Sequence, residues 1–345
     1  MSHYSKRIFK KKHELPISYE YPTTNASSVN NVNLKQLSLF ILIIQNTMLV
    51  LVMRYSRTTL PEDQPMYIAS TAVFMAEIIK IITCFSVLYY QGHTLTFFHK
   101  PREILKMLIP SSLYALQNNL LYIALSNLEA ATFQVTYQLK ILSTAIFSVI
   151  MLGRTLTSTQ WFALVLLMAG VTLVQSETVV TTNHSSLTEQ QQNPLVGLVA
   201  VLMCCISSGF AGCYFEKILK SSISSMWVRN IQLALCGALF SFIAMLIGDF
   251  DLIKSNGFFQ GYNALTWCVI VNQALGGLLV ALVVKYADNI LKGFATSISI
   301  IVSGLLSFCL FDFKPSILFI IGTGIVILST VLYTTTNNNN KYRYN

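Results

Sequence analysis

Ten apolar segments of about 20 residues constrain this chain more than any other feature of its sequence. They lie at 36–56, 66–90, 104–126, 130–151, 158–176, 195–219, 227–248, 262–284, 290–311 and 315–335. About 20 apolar residues in an α-helix are long enough to cross the hydrocarbon core of a bilayer. Helices satisfy their own backbone hydrogen bonds there, where water is absent. We therefore expect an all-α membrane protein with ten transmembrane helices.

The composition excludes an ordinary soluble protein. The 345 residues are 54% hydrophobic and only 11% charged, whereas a soluble domain carries about 25% charged residues. The net charge of +9 lies in tails and short loops, so it does not predict a nucleic-acid surface. The cysteines lie inside apolar segments without CxxC or Cys/His spacing, so we expect neither disulfides nor a bound metal.

The distribution of basic residues predicts the topology. An even number of spans places both tails, 1–34 and 336–345, on one side of the membrane. The tails and even-numbered loops hold fifteen Lys and Arg residues, against four in the odd-numbered loops. This asymmetry predicts that both tails are cytosolic. The sequon at Asn183, in the long polar loop 177–194 on the predicted lumenal side, agrees with it. The Asn run 337–340 is predicted to be disordered.

The ten-helix domain, 35–335, divides into two repeats at about 35–176 and 195–335. Five crossings in each half give the halves opposite orientations. Polar residues recur in corresponding spans: Lys140 and Lys292 in the fourth and ninth, and amide pairs in the third and eighth. Inverted repeats with polar residues at matching depths predict a central substrate site between the halves.

Charged side chains inside the spans are the first candidates for that site, because each costs about 2.5–3.5 kcal/mol in a membrane. Lys140 has no acid within one helical turn and is expected to bind an anion such as phosphate. Lys292 lies near the end of its span, so snorkelling to the membrane surface stays open. Glu77 and Lys80 share one helical face. They either neutralise each other or line a substrate cavity.

Tyr114, Gln117, Asn118 and Tyr122 form a polar stripe on the third span. The amides and phenols could hydrogen-bond a base or ribose, or they could join helices at about 0.6 kcal/mol each. The chain has no GxxxxGK[ST] loop, so we expect no direct ATP drive and no cofactor. Asp249-Phe250-Asp251 is similar to the DxD metal motif of glycosyltransferases, although a solvated loop is the favoured interpretation.

Eight segments resemble the nucleotide-sugar transporters of the Golgi. They are MRYSRT at 53–58, AEIIK at 76–80, YALQNNLL at 114–121, AATFQVTYQLKILST at 130–144, SSGFAGCYFEKIL at 207–219, WVRNIQ at 227–232, NGFFQGY at 256–262 and KYADNILKGFATS at 285–297. They cover nearly every span in order. The resemblance implies the drug/metabolite transporter fold of two inverted five-helix halves. It also implies alternating access, in which a cytosolic nucleotide sugar exchanges for a lumenal nucleoside monophosphate.

The same resemblance implies roles for individual residues. By match to the family motifs, the phosphate would be held by Lys140 and Lys292. The nucleoside would be contacted by Tyr114, Asn118 and Asn230, and the sugar side of the site would hold Glu77 and Lys80. The sequences ADNILKGFATS and NGFFQGYN are similar to the corresponding motifs of the UDP-sugar branch, which carries UDP-N-acetylglucosamine or UDP-galactose. UMP is then the expected exchange partner.

Several alternatives stay open at this point. A CMP-sialic acid carrier, a membrane glycosyltransferase using Asp249 and Asp251, and a related exporter of small organic molecules are the competing functions. The resemblance places the protein in the Golgi membrane, with the endoplasmic reticulum as the alternative. Its expected partners are a UDP-sugar, UMP and membrane lipid, without nucleic acid. A homo-oligomer and an association with glycosyltransferases are also open.

Overall fold

All regular elements that the structure describes are α-helices. The computed structural model describes residues 25–58, 67–92, 101–182, 193–221, 225–311 and 316–343. The helices are α1 Asn25–Thr58, α2 Ala69–Tyr90, α3 Pro101–Asn127, α4 Ala130–Tyr137, α5 Leu139–Leu152, α6 Ser158–Thr182, α7 Pro194–Ser221, α8 Met226–Gly248, α9 Phe250–Asn256, α10 Ala264–Tyr286, α11 Asn289–Phe311 and α12 Ile317–Arg343.

Within those ranges, nine helical segments are long and apolar enough to cross a membrane. The predicted all-α, multi-pass architecture is therefore confirmed. The third predicted span, α3, is not among the nine, although it is 27 residues long. The amides of Gln117, Asn118 and Asn119 near its middle lower the hydropathy of this helix.

The fourth predicted span, 130–151, is two helices rather than one. The chain leaves α-helical hydrogen bonding at Gln138, between α4 and α5. There the backbone N–H of Gln138 donates to Val135 O at 3.2 Å, and that of Ile141 donates to Gln138 O at 3.0 Å. These three-residue bonds are those of a 3₁₀ turn, which tightens a helix locally. Nothing in the apolar pattern of this segment predicts the break.

The first and last helices run further into the predicted tails than expected. α1 begins at Asn25 and α12 continues to Arg343, so the predicted disorder of the Asn run 337–340 is wrong. Each further residue adds to a helix that has already formed, and propagation is far cheaper than nucleation. The sequon at Asn183 lies outside the described residues.

The largest helix contacts join the part of the chain before residue 182 to the part after residue 194. The pairs are α1 with α10 and with α11, α2 with α8 and with α10, α3 with α7 and with α8, α5 with α7, and α6 with α12. The two halves therefore interdigitate as one bundle.

Small residues bring these helices together. At the α6–α12 crossing, a Cβ added at Gly322 would lie 2.8 Å from Gly170 O. Leu164, Leu167 and Val326 are fully buried in the hydrophobic cluster that contains this crossing. Close backbone approach supplies the van der Waals contact on which helix association in lipid depends.

Candidate functional site

A cavity of about 1200 Å³ lies at the centre of the bundle. Residues of α2, α3, α7, α8, α10 and α11 line it, so both halves contribute to its wall. One end is formed by the start of α2 and the α8–α9 junction, with Ser70 and Asp249. Lys292 of α11 also lies on the wall. The cavity thus carries charged and polar groups inside an otherwise apolar bundle, as a binding site for a polar ligand requires.

The structure brings five of the seven predicted site residues to this cavity. They are Glu77, Lys80, Tyr114, Asn230 and Lys292. Lys140 is not on the wall in this structure, and the side chain of Asn118 lies outside the described residues. Residues that are far apart in the chain, and that the sequence analysis grouped together, therefore line one cavity.

Lys292 belongs to the first turn of α11 and faces the cavity. Among the residues that the structure describes, no carboxylate forms an ion pair with Lys292 or Lys140. The Lys140 ammonium lies 3.9 Å from the centroid of the Tyr137 ring, a cation–π contact. It is also close enough to Lys292 for electrostatic repulsion. Two cations without a paired anion favour a bound anion between them.

Glu77 and Lys80 form an ion pair on the cavity wall. Their Oε2 and Nζ atoms are 2.6 Å apart, one helical turn along α2. Two glycines from neighbouring helices make room for them. A Cβ at Gly237 of α8 would lie 3.0 Å from the Glu77 carboxyl carbon, and one at Gly277 of α10 would lie 3.0 Å from Lys80 Cδ. The pair neutralises itself and also lines this cavity, and its role in substrate binding stays a prediction.

Tyr114 and Asn230 bring neutral polar groups to the same cavity from α3 and α8. Asn230 is buried and its Nδ2 donates to Met226 O at 3.1 Å, which fixes the amide along its own helix. One amide N–H and the amide oxygen remain for a ligand, and the Tyr114 hydroxyl both donates and accepts. Such groups match the edges of a base or a ribose.

Asp249, the first residue of the DxD-like motif, lies at the rim of the cavity. It accepts a hydrogen bond from Ser70 Oγ at 2.5 Å and is the N-cap residue of α9, a short helix where a loop was expected. Beside it, Tyr262 donates to Thr71 at 3.0 Å. Among the described residues no group of three potential metal ligands occurs. The observed role of Asp249 is to join α2 to the α8–α9 junction.

A buried charge cluster lies near the junctions α5–α6 and α10–α11. Glu216 of α7 is 0% exposed and forms ion pairs with Arg154 and Lys220. It also accepts from the backbone N–H of Asn289 at 3.0 Å, while Arg154 lies 3.7 Å from Asp288. Every oxygen of Glu216 is therefore engaged, and elements of both halves meet at this one carboxylate.

Sequence reasoning missed the small members of the site. Gly237, Gly277 and Ser111 line the cavity, yet each lies in an apolar run where a small residue also serves ordinary helix packing. Only the position of the neighbouring helix shows that the two glycines accommodate charged side chains. No signal in a single sequence distinguishes these cases.

Known proteins resemble this chain over most of its length. Residues 30–334 match the family model described as "Nucleotide-sugar transporter". The chain belongs to the nucleotide-sugar transporter family. It is 55% identical over 318 residues to the UDP-N-acetylglucosamine transporter of Rattus norvegicus, covering 88% of this chain and 96% of that protein. It is 50% identical over 317 residues to the UDP-galactose translocator of Bos taurus, covering 89% and 79%.

The family resemblance read from the motifs is thus confirmed. The glycosyltransferase alternative is wrong, since these relatives are transporters and this protein is not an enzyme. A solved crystal structure also matches, with a TM-score of 0.65 and 14% identity, covering 88% of this chain and 98% of that one. That likeness concerns the fold alone.

Proposed function

We propose that this nucleotide-sugar transporter carries a UDP-sugar, UDP-N-acetylglucosamine or UDP-galactose, from the cytosol into the Golgi lumen in exchange for UMP. Relatives with both of these names are about half identical to it over most of their length. The somewhat higher identity to the UDP-N-acetylglucosamine transporters favours that sugar.

The pair of lysines without a carboxylate partner carries this proposal. Lys292 is on the cavity wall and Lys140 lies within its electrostatic reach. A phosphate between them relieves their mutual repulsion and draws Lys140 away from the Tyr137 ring. UMP retains a phosphate after the sugar has been transferred, so the same lysines serve both substrates. The UMP gradient then drives sugar entry without ATP.

The remaining wall residues are assigned by their chemistry. Tyr114, Asn118 and Asn230 contact the nucleoside in this proposal, and the Glu77–Lys80 pair lies toward the sugar. Neutral hydrogen-bonding groups suit the base and ribose, whereas a charged pair presents strong acceptors and donors to the sugar hydroxyls.

The packing supports two inverted five-span repeats, with α3 as the tenth span. Exchanging α1 with α7, α2 with α8, α3 with α10, α5 with α11 and α6 with α12 maps the helix contacts onto one another. The contact α1–α10 becomes α7–α3, α1–α11 becomes α7–α5, and α2–α10 becomes α8–α3, while α2–α8 and α6–α12 map onto themselves. This correspondence is what a two-fold axis in the membrane plane requires.

Individual bonds follow the same correspondence. Gln45 of α1 donates to the backbone of Asn272 on α10 at 3.0 Å. Cys204 of α7 lies 3.9 Å from the backbone oxygen of Gln117 on α3. The amide-rich segments of the third and eighth spans thus face equivalent partners. In this arrangement both tails are cytosolic, and the end of the cavity formed by Ser70 and Asp249 lies on the lumenal side.

Counterflow in proteoliposomes tests the proposal. Vesicles loaded with UMP, CMP or GMP are given labelled UDP-N-acetylglucosamine, UDP-galactose or CMP-sialic acid. We expect UMP-loaded vesicles to accumulate a UDP-sugar and to leave it chemically intact. Fastest uptake of CMP-sialic acid into CMP-loaded vesicles would show that the branch is wrong. Equal uptake into empty vesicles would contradict exchange.

A further inference from the structure

The break in the fourth span lies two residues before Lys140. Because the turn at Gln138 is tighter than an α-helix, it changes the direction in which the following residues project. In a continuous helix each residue advances about 100° around the axis, since 3.6 residues complete a turn. The 3₁₀ turn therefore shifts Lys140 around the helix relative to α4. The conformation of this turn decides where the ammonium group lies.

Gln138 at the break is held by a partner from another helix. Its side chain is 4% exposed, and its Nε2 lies 2.8 Å from Oε1 of Gln175 on α6. A buried amide needs such a partner, because an unsatisfied one costs about 1–3 kcal/mol. The pair ties the break to α6, a helix that contributes no described residue to the cavity wall.

The opposite side of the break is held by a thiol of α7. Cys205 Sγ lies 3.5 Å from Tyr137 O and 3.7 Å from Thr136 O. The thiol therefore contacts the two carbonyl groups that directly precede the turn. One and two helical turns further along α7, Gly209 and Cys213 continue this contact with α5.

We propose that Gln138, Gln175 and Cys205 are positioning residues for Lys140. They hold the 3₁₀ turn from two sides and so fix the direction from which the ammonium group reaches the substrate phosphate. The inference rests on the proposed function, since it assumes that Lys140 binds phosphate.

The test separates positioning from stability. Gln175→Leu leaves the buried Gln138 amide without a partner, and Gln138→Leu does the same to the half-buried Gln175 amide. Each single variant lowers the melting temperature, whereas the double variant removes both amides and restores it. We expect the double variant to bind UMP with a dissociation constant that is still about three- to tenfold larger than that of the unmodified protein. UMP-dependent thermal stabilisation of the purified protein measures both quantities.

A double-mutant cycle with Lys140→Ala completes the test. The loss of UMP affinity caused by the two Leu substitutions should disappear in the Lys140→Ala background. Cys205→Ser keeps a hydrogen-bond donor and should retain more affinity than Cys205→Ala. Gln45→Leu is the matched control. It removes an equally buried interhelical amide contact, to Asn272, away from the break, so any small effect on UMP affinity should be the same with and without Lys140→Ala.

The outcomes distinguish the two proposals. UMP affinity that returns together with the melting temperature in the double variant would overturn the positioning role. An equal loss of affinity with and without Lys140→Ala would overturn it as well. Normal UMP affinity of Lys140→Ala alone would instead contradict the phosphate role of Lys140, and the positioning role would fall with it.

Discussion

At the scale of single residues, three groups of charged side chains within the spans differ in how their charge is compensated. Glu77 and Lys80 neutralise each other on the cavity wall. Glu216 is saturated by Arg154, Lys220 and a backbone N–H. Lys140 and Lys292 have no ion-pair carboxylate among the described residues. Because charge inside a membrane persists only where it is compensated, the proposed function assigns the compensation of the third group to the substrate phosphate.

The Glu77–Lys80 pair yields a prediction that separates stability from transport. Glu77→Gln leaves Lys80 without its counter-ion in the cavity and should lower stability by about 1–3 kcal/mol. Adding Lys80→Met removes the uncompensated charge and should recover most of that loss, while sugar uptake stays low. Melting temperature and counterflow of the labelled UDP-sugar are the two measurements. Full uptake by the double variant would show that the pair serves only to stabilise the bundle.

At the scale of elements, the sequence predicted the helices well because length and hydropathy alone determine which segments can cross a bilayer. The break at Gln138 could not be predicted in this way. Residues 130–151 read as one apolar segment, and the groups that hold the turn, Gln175 and Cys205, are on helices distant in sequence. The roles of Gly237 and Gly277 could not be predicted for the same reason, because they depend on the side chains that the neighbouring helix packs against these glycines.

The α5–α7 contact gives a prediction at this scale. A Cβ at Gly209 would lie 2.3 Å from Ser143 Oγ and 2.8 Å from the backbone nitrogen of Thr144. Gly209→Ala must therefore push the two helices apart, and it should cost about 1–3 kcal/mol of stability, as overpacking does. Gly324→Ala on α12 is the control, because its Cβ would meet nothing within 4 Å. Equal melting temperatures for the two variants would show that α5 and α7 are not packed this closely.

At the scale of the whole molecule, five of the predicted site residues come from both halves of the chain and meet in one cavity between the interdigitated halves. Under the proposed inverted repeats, exchange of the halves gives two related conformations with similar contacts. Alternating access in inverted repeats rests on such a relation, with the binding site at the interface of the halves. In the described conformation, the Arg154–Glu216–Asp288 cluster joins both halves on the predicted cytosolic side.

The orientation of the molecule is predicted by the asymmetry of its basic residues. Epitope tags at the N-terminus and the C-terminus should both be digested when protease is added to sealed Golgi vesicles, since both tails are predicted to be cytosolic. A tag inserted between residues 183 and 192 should be protected until detergent is added. Protection of the N-terminal tag in intact vesicles would reverse the proposed topology.

The measurement that tests the central claim most directly is the UMP dissociation constant of Lys140→Ala and Lys292→Ala, determined from UMP-dependent thermal stabilisation. Each variant should bind UMP about ten- to a hundredfold more weakly, as the loss of a charge-assisted hydrogen bond predicts. Without UMP each should melt near the unmodified protein, because neither lysine has an ion-pair carboxylate among the described residues. Lys285→Ala, an exposed lysine at the end of α10, should bind UMP normally. Full UMP-dependent stabilisation of both Lys140→Ala and Lys292→Ala would contradict the claim that these lysines hold the phosphate.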